Sequence, residues 1–266
     1  MPWVNWPADR RVQNERLAMK MIQPNCRIQF TAADVDFILS VLGRRLGTAD
    51  CLVQLLADED SRDKILDDPA LFHALLEHRG CLPVSARFYF YVLVRHVFQR
   101  SDLQDRAVAD YVAEVLAAFS ETSRARCVVP GQTHSLDYFF EMLAALQTAD
   151  PRTSFLLRAH IGNHSLFLAG IFPERIRHRA ESRGFPGLRY YEELGRTQYR
   201  MAGEHQLARR YHLEGILQTL AERFQATRRA LNDIAERLFS IGDPDYSLHS
   251  LFAPDKGGLS TPPDPA

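Results

Sequence analysis

Apolar residues along this chain recur three and four positions apart. Val35, Ile38, Leu39 and Leu42 form one stripe, Val108, Val112, Val115, Leu116 and Phe119 another, and Leu136, Phe139, Phe140, Leu143 and Leu146 a third. Ile216, Leu217, Leu220 and Phe224 follow, then Leu231, Ile234, Leu238 and Phe239 beyond a break near Thr227. This spacing marks one face of an α-helix, whereas the alternation of a half-buried strand and the Asn-Gly or Asp-Gly turns of hairpins are missing. Helix starts are punctuated as well. Asp68-Pro69 and Asp150-Pro151 place a capping carboxylate before a proline whose fixed φ suits the first helical position. Pro83 and Pro173 can fill the same position, and Thr31 with Asp34 resembles a capping box with an acid in place of the usual Glu or Gln.

The pattern predicts helices over 9–22, 32–46, 48–57, 69–78, 84–99, 103–119, 135–148, 152–168, 174–182, 188–203, 207–224 and 228–240. The expected fold is all-α, a multi-helix bundle with short connections and a disordered Pro-rich C-terminal tail. Residues 1–252 read as the helical domain and 253–266 as the tail. A subdomain boundary is expected near 120–133, where Pro130 and Gly131 fall and no stripe continues. Residues Phe88, Tyr89, Phe90 and Tyr91 put aromatics on every side of one helix, which predicts a central position buried all round.

Charge changes the functional picture. The 32 basic and 33 acidic residues leave a formal net charge of -1, so nothing draws the whole chain to nucleic acid or an acidic membrane, and any anion site must be local. Cys26, Cys51, Cys81 and Cys127 are spaced too widely for a zinc knuckle and read as reduced, buried thiols. The first residues lack the apolar core of a signal peptide, and no charge-free apolar run reaches the roughly 18–20 residues of a membrane span. The chain therefore reads as cytoplasmic.

Phosphate-loop, dinucleotide, nucleophile-elbow and zincin motifs are all missing. Two segments carry candidate chemistry instead. His160 and His164 share one helical face, and Glu174 and His178 repeat the spacing beyond a turn, so the four could hold a transition metal, although no cofactor is predicted outright. Packed or hydrogen-bonded histidines are the plainer reading. The second segment is basic: Arg175, Arg177, Arg179, Arg183 and Arg189 stand beside Tyr190 and Tyr191, a set suited to an acidic partner, phosphate or stacked bases. A solvated face paired with nearby glutamates is the alternative there. Gly162, inside a helical pattern, predicts close helix packing or a kink, since such a glycine costs about 1 kcal/mol against alanine. Gly170 through Pro173 reads as helix stop, hydrophobic anchor and helix start, with Phe172 plugging the junction.

The segments Gly162-Asn163-His-Ser-Leu-Phe-Leu-Ala-Gly170-Ile-Phe-Pro173 and Tyr190-Tyr191-Glu-Glu-Leu-Gly195, with Tyr199, resemble an uncharacterised family of bacterial all-helical proteins. The resemblance covers roughly 84–240 and implies no activity, cofactor or partner. Asn163 stands where the family pattern has an acid, and His160 where it has Glu. The leading expectation is a non-catalytic interaction or scaffold protein with a protein partner. A metal-binding helical enzyme using the histidines and Glu174 comes second, and a nucleic-acid-associated protein using the arginines third.

Overall fold

The computed structural model describes residues 21–46, 49–78, 83–125 and 134–241. The predicted helix at 9–22 lies almost entirely outside them, as do most of the 120–133 boundary, Cys81, Cys127 and the tail. Among the described residues the fold is all-α. A 3-10 turn at Cys26–Ile28 leads into α1 (Ala32–Leu46), α2 (Ala49–Ala57), α3 (Glu59–Leu66), α4 (Pro69–Glu77), α5 (Ala86–Gln99), α6 (Arg106–Ala125) and α7 (His134–Leu146). The second half comprises α8 (Pro151–Ile171), α9 (Pro173–Arg183), α10 (Leu188–Gly203), α11 (Gln206–Arg210), α12 (Glu214–Glu222) and α13 (Phe224–Ile241).

The capping chemistry read from sequence organises these starts. Asp68 accepts from Ala70 N–H at 2.9 Å, and Asp150 from Arg152 and Thr153 N–H at 2.9 and 3.2 Å. Thr31 and Asp34 exchange side chain-to-backbone bonds of 2.8 and 3.2 Å, the reciprocal pair of a capping box. Asp34 does more: its carboxylate, fully buried, also accepts from Ser85 N–H at 2.6 Å and Ser85 O–H at 2.9 Å. Because Ser85 in turn caps α5 by accepting from Phe88 N–H, one carboxylate ties the starts of α1 and α5 together.

α5 is the central helix: every residue from Phe88 to Phe98 is buried, including all four consecutive aromatics. It packs mainly on α6, and α13 and α4 cover other sides of it. The other half is built on α8, α10 and α13. Here glycine sets the spacing. A Cβ on Gly162 of α8 would stand 2.6 Å from the Tyr199 ring of α10, and one on Gly195 of α10 would stand 2.5 Å from Phe224 Cζ of α13, so only hydrogen fits at either crossing. The close packing expected at Gly162 is therefore present, with no break in α8 there.

Several boundaries depart from the pattern. α3 was not predicted because only Ile65 and Leu66 are apolar. It forms through the Asp58 cap, which accepts from Ser61 N–H at 2.9 Å, and through Arg62 and Asp63, which are buried despite their charge. The predicted 207–224 helix is split by His212, whose φ of 56° lies in the left-handed region. Leu213 N–H then reaches back to Ala208 C=O at 2.8 Å, while its side chain is buried, so a polar-looking stretch closes a helix without glycine. The break expected near Thr227 falls instead at Arg223, whose carbonyl accepts the Thr227 hydroxyl at 3.0 Å. α8 runs through Gly170 to Ile171 rather than stopping there; Phe172 alone joins it to α9, edge-on to Phe167 with ring centroids 5.6 Å apart. Cys26 is buried as expected, but Cys51 is exposed on α2, where Leu52 and Leu56 take the inward positions.

Candidate functional site

The two histidines of α8 do lie on one face, and that face is aromatic. His160 stacks on Phe119 with centroids 5.5 Å apart, and His164 stacks on Phe139 at 4.9 Å. Their own rings meet edge-on at 6.2 Å. Glu174 and His178 are exposed on α9, where Glu174 pairs with Arg177 at 2.6 Å. Among the described residues no three His, Cys, Asp or Glu side chains come together as metal ligands. The structure thus brings His160 and His164 together and gives Glu174 and His178 other surroundings.

The basic segment divides into two sets. Arg177 is tied to Glu174, and Arg189 to Glu193 at 2.8 Å, as the helical spacing of three and four dictates. Arg175, Arg179 and Arg183 succeed one another at steps of four along α9 and so share a face, away from the line of Glu174 and Arg177. Arg175 and Arg183 are exposed and have no acidic partner among the described residues. The protein packed around Arg175 and, after it, the neighbouring Arg179 charge lower the Arg175 pKa. Arg179 lies over the Phe185 ring at 6.0 Å from its centroid, anchoring the middle of the row. Beside it, Tyr191 is buried with its ring edge-on to Phe139 at 5.8 Å, and Tyr190 meets Tyr191 at 5.6 Å. Burial raises the Tyr191 pKa and the Arg179 charge works against that rise. Tyr191 is therefore packed against other rings rather than open to a base, while Tyr190 is half-buried beside it.

Two interior polar clusters escaped the sequence analysis. In the first, Arg27 from the 3-10 turn bridges Asp63 of α3 at 3.1 Å and Asp110 of α6 at 3.2 Å. Arg95 of α5 holds Asp67 through two bonds of 2.9 and 3.2 Å, and Arg106 joins the same carboxylate at 2.7 Å. Arg87 grips Glu114 with bonds of 2.8 and 2.9 Å, and Glu114 also accepts from the Cys26 thiol at 3.2 Å. Burial would raise the Asp67 carboxyl, but the Arg95 and Arg106 hydrogen bonds outweigh it and hold it below its ordinary range. At Asp110 burial wins over the Cys26 N–H and Arg27, and its pKa rises. Burial first, then the Glu114 and Asp110 charges, drives the Cys26 thiol far up, which makes it a poor nucleophile. In the second cluster, the buried hydroxyls of Tyr111 and Tyr199 both donate to Asn163 Oδ1, at 3.0 and 2.9 Å. The only available signal was charge at core spacing: Asp63 and Asp67, Asp110 and Glu114, each four apart in line with apolar neighbours.

Among the described residues no helix is long and apolar enough to cross a membrane. No protein-family model, curated protein or solved structure matches this chain.

Proposed function

We propose that this chain is a non-catalytic interaction protein that holds an acidic segment of a partner protein on the arginine face of α9. The observation that carries this reading is the row Arg175, Arg179 and Arg183, whose exposed ends lie along one helix face while the acids of α9 lie on another. The exposed guanidinium forks of Arg175 and Arg183 suit carboxylates, and their spacing along one helix suits an extended or helical acidic segment. The interior ion pairs, by contrast, are spent on one another and join the 3-10 turn to α3, α5 and α6. The buried tyrosine–asparagine cluster joins α6, α8 and α10. Both are consistent with a rigid frame beneath a binding face. Kinship with the resembling bacterial helical family is part of the same proposal and adds no activity to it.

The test is affinity capture from the native host with the wild-type chain and with Arg175→Glu/Arg183→Glu, quantified by mass spectrometry. A stoichiometric protein retained by the wild type and lost from the variant supports the reading. A partner retained equally by both moves the binding face elsewhere. Nucleic acid in the retained fraction, lost steeply as salt rises, would favour the phosphate-binding alternative.

A further inference from the structure

We infer that the protein binds a single interior water molecule at Asn163, in a small cavity bordered by Met21 and Ile22, and that this water completes the Tyr111–Tyr199–Asn163 cluster. The site is independent of the arginine face of α9.

The amide of Asn163 carries the first part. Its Oδ1 accepts from the Tyr111 and Tyr199 hydroxyls at 3.0 and 2.9 Å, which uses both lone pairs of that oxygen. Its Nδ2 has two N–H donors, and among the described residues no hydrogen bond from them accompanies the two at Oδ1. Buried amide donors are costly to leave unmet, and Asn163 is only 3% exposed. Yet Nδ2 is not sealed by packing as the Tyr91 hydroxyl is. The space it meets is the cavity that Asn163 lines.

The cavity carries the second part. Its volume is about 10 Å3, and its walls include Met21, Ile22, Tyr111, Leu213 and the face of α8 with Leu156, Ala159 and Asn163. One water needs at least about 10–15 Å3 and two or more polar partners. The cavity just meets the first condition, so it takes a water and nothing larger. Nδ2 supplies one partner as a donor. Tyr111 supplies the other, because its hydroxyl keeps a lone pair to accept from the water while it donates to Oδ1.

The wall at Met21 and Ile22 is held in place. The 3-10 turn that follows it is pinned to Asp110, which accepts from Cys26 N–H at 2.7 Å and from Arg27 Nε at 3.2 Å. Tyr111 is the next residue of α6, so the contact that holds the turn stands beside the side chain that reaches Asn163. A water behind such a wall exchanges slowly with the solvent.

Two measurements on the full-length chain test the inference. A high-resolution crystal structure of the wild type should show a water peak within about 3 Å of Asn163 Nδ2. Oxygen-17 relaxation dispersion of the solvent counts long-lived waters in solution, and Ala159→Val should lower that count by a single water, because it adds two methyl groups to the cavity wall. Leu156→Phe enlarges a second wall residue and should give the same loss; circular dichroism matching the wild type establishes which of the two variants is folded. Absence of the peak overturns the inference, as does a crystal structure in which Nδ2 donates to a protein acceptor instead. An unchanged count in a folded filling variant overturns it as well. If neither variant folds, the wild-type crystal structure decides alone.

Discussion

Gly162→Ala adds one methyl group at the tightest point between α8 and α10. Its Cβ would stand 2.6 Å from Tyr199 Cδ1, 2.7 Å from Cε1 and 3.0 Å from Cγ. Carbon atoms prefer about 3.5–4.0 Å, so the ring must retreat by about 1 Å. Tyr199 is poorly placed to do so: it is fully buried, it faces Phe224 with ring centroids 6.0 Å apart, and its hydroxyl is anchored on Asn163 at 2.9 Å. Alanine in a helix interior gains about 1 kcal/mol over glycine. Against that, overpacking a filled core costs about 1–3 kcal/mol, and pulling a buried hydroxyl off its acceptor costs a further 1–3 kcal/mol or so. The net expectation is a loss of about 1–5 kcal/mol, the lower end applying where the ring shifts with little damage to its hydrogen bond. Gly215 of α12 is the matched control, because it is exposed and a Cβ there meets nothing within 4 Å. Gly215→Ala should gain up to about 1 kcal/mol. Urea unfolding monitored by circular dichroism gives both values, and an unchanged m-value shows that the denatured states are comparable. If Gly162→Ala proves neutral or stabilising alongside Gly215→Ala, the close approach does not exist as described and the glycine explanation of the α8–α10 spacing fails.

Other perturbations test the interior independently. His96 is buried, stacked on Phe72 at 3.6 Å, and burial together with Arg100, His73 and Arg237 lowers its pKa from 6.5 to about 4. The unfolded chain therefore binds this proton more readily. Stability from neutral His96 is complete above pH 6.5 and falls as pH drops toward 4, by about 2 kcal/mol between pH 7.5 and 5. His96→Leu should flatten that part of the stability profile, and an equally steep profile in the variant would refute the assignment. Asp67→Asn leaves Arg95, 7% exposed, facing an amide instead of a carboxylate, and should cost about 3–5 kcal/mol in urea unfolding at neutral pH. Because the folded Asp67 pKa is depressed, that penalty should shrink as pH falls through it; a penalty independent of pH would mean that charge is not its source. Asn163→Leu removes the acceptor of both tyrosine hydroxyls and should cost at least about 2 kcal/mol. Tyr111→Phe should recover part of that loss in the double variant, and strict additivity of the two would deny the shared hydrogen bond.

The helical class, the caps at Asp68, Asp150 and Thr31–Asp34, and the buried α5 were legible because each depends on neighbours within a turn of helix. Four aromatics in succession admit few arrangements other than burial on every side. Where tertiary contacts supplied the energy, the pattern said less. α3 has almost no stripe and is held by a cap and by ions from the 3-10 turn and α6. The turn at His212 uses a left-handed histidine, closed by a buried Leu213, where composition offers no glycine to read. Asp63, Asp67, Asp110 and Glu114 were not singled out because their arginine partners are 27 to 83 residues away, beyond the reach of spacing rules.

The same distinction separates the candidate sites. Helical spacing placed His160 beside His164 correctly but could not show that the two rings stack on Phe119 and Phe139. The arginines read from sequence as one set of five; the structure divides them, pairing Arg177 with Glu174 and Arg189 with Glu193 and leaving Arg175, Arg179 and Arg183 at steps of four along α9. What the pattern could not supply was the base beneath that row. Tyr191 of α10 and Phe139 of α7 meet edge-on in the apolar cluster that also takes Ile176 of α9, so α9 is seated by side chains distant in sequence. A row of arginines on an isolated helix would be a flexible, solvated edge. Arg179 laid over Phe185 gives the row one fixed point, and the proposed partner face is placed on α9 rather than on the histidine pair because His160 and His164 stack on Phe119 and Phe139 while Arg175 and Arg183 are exposed.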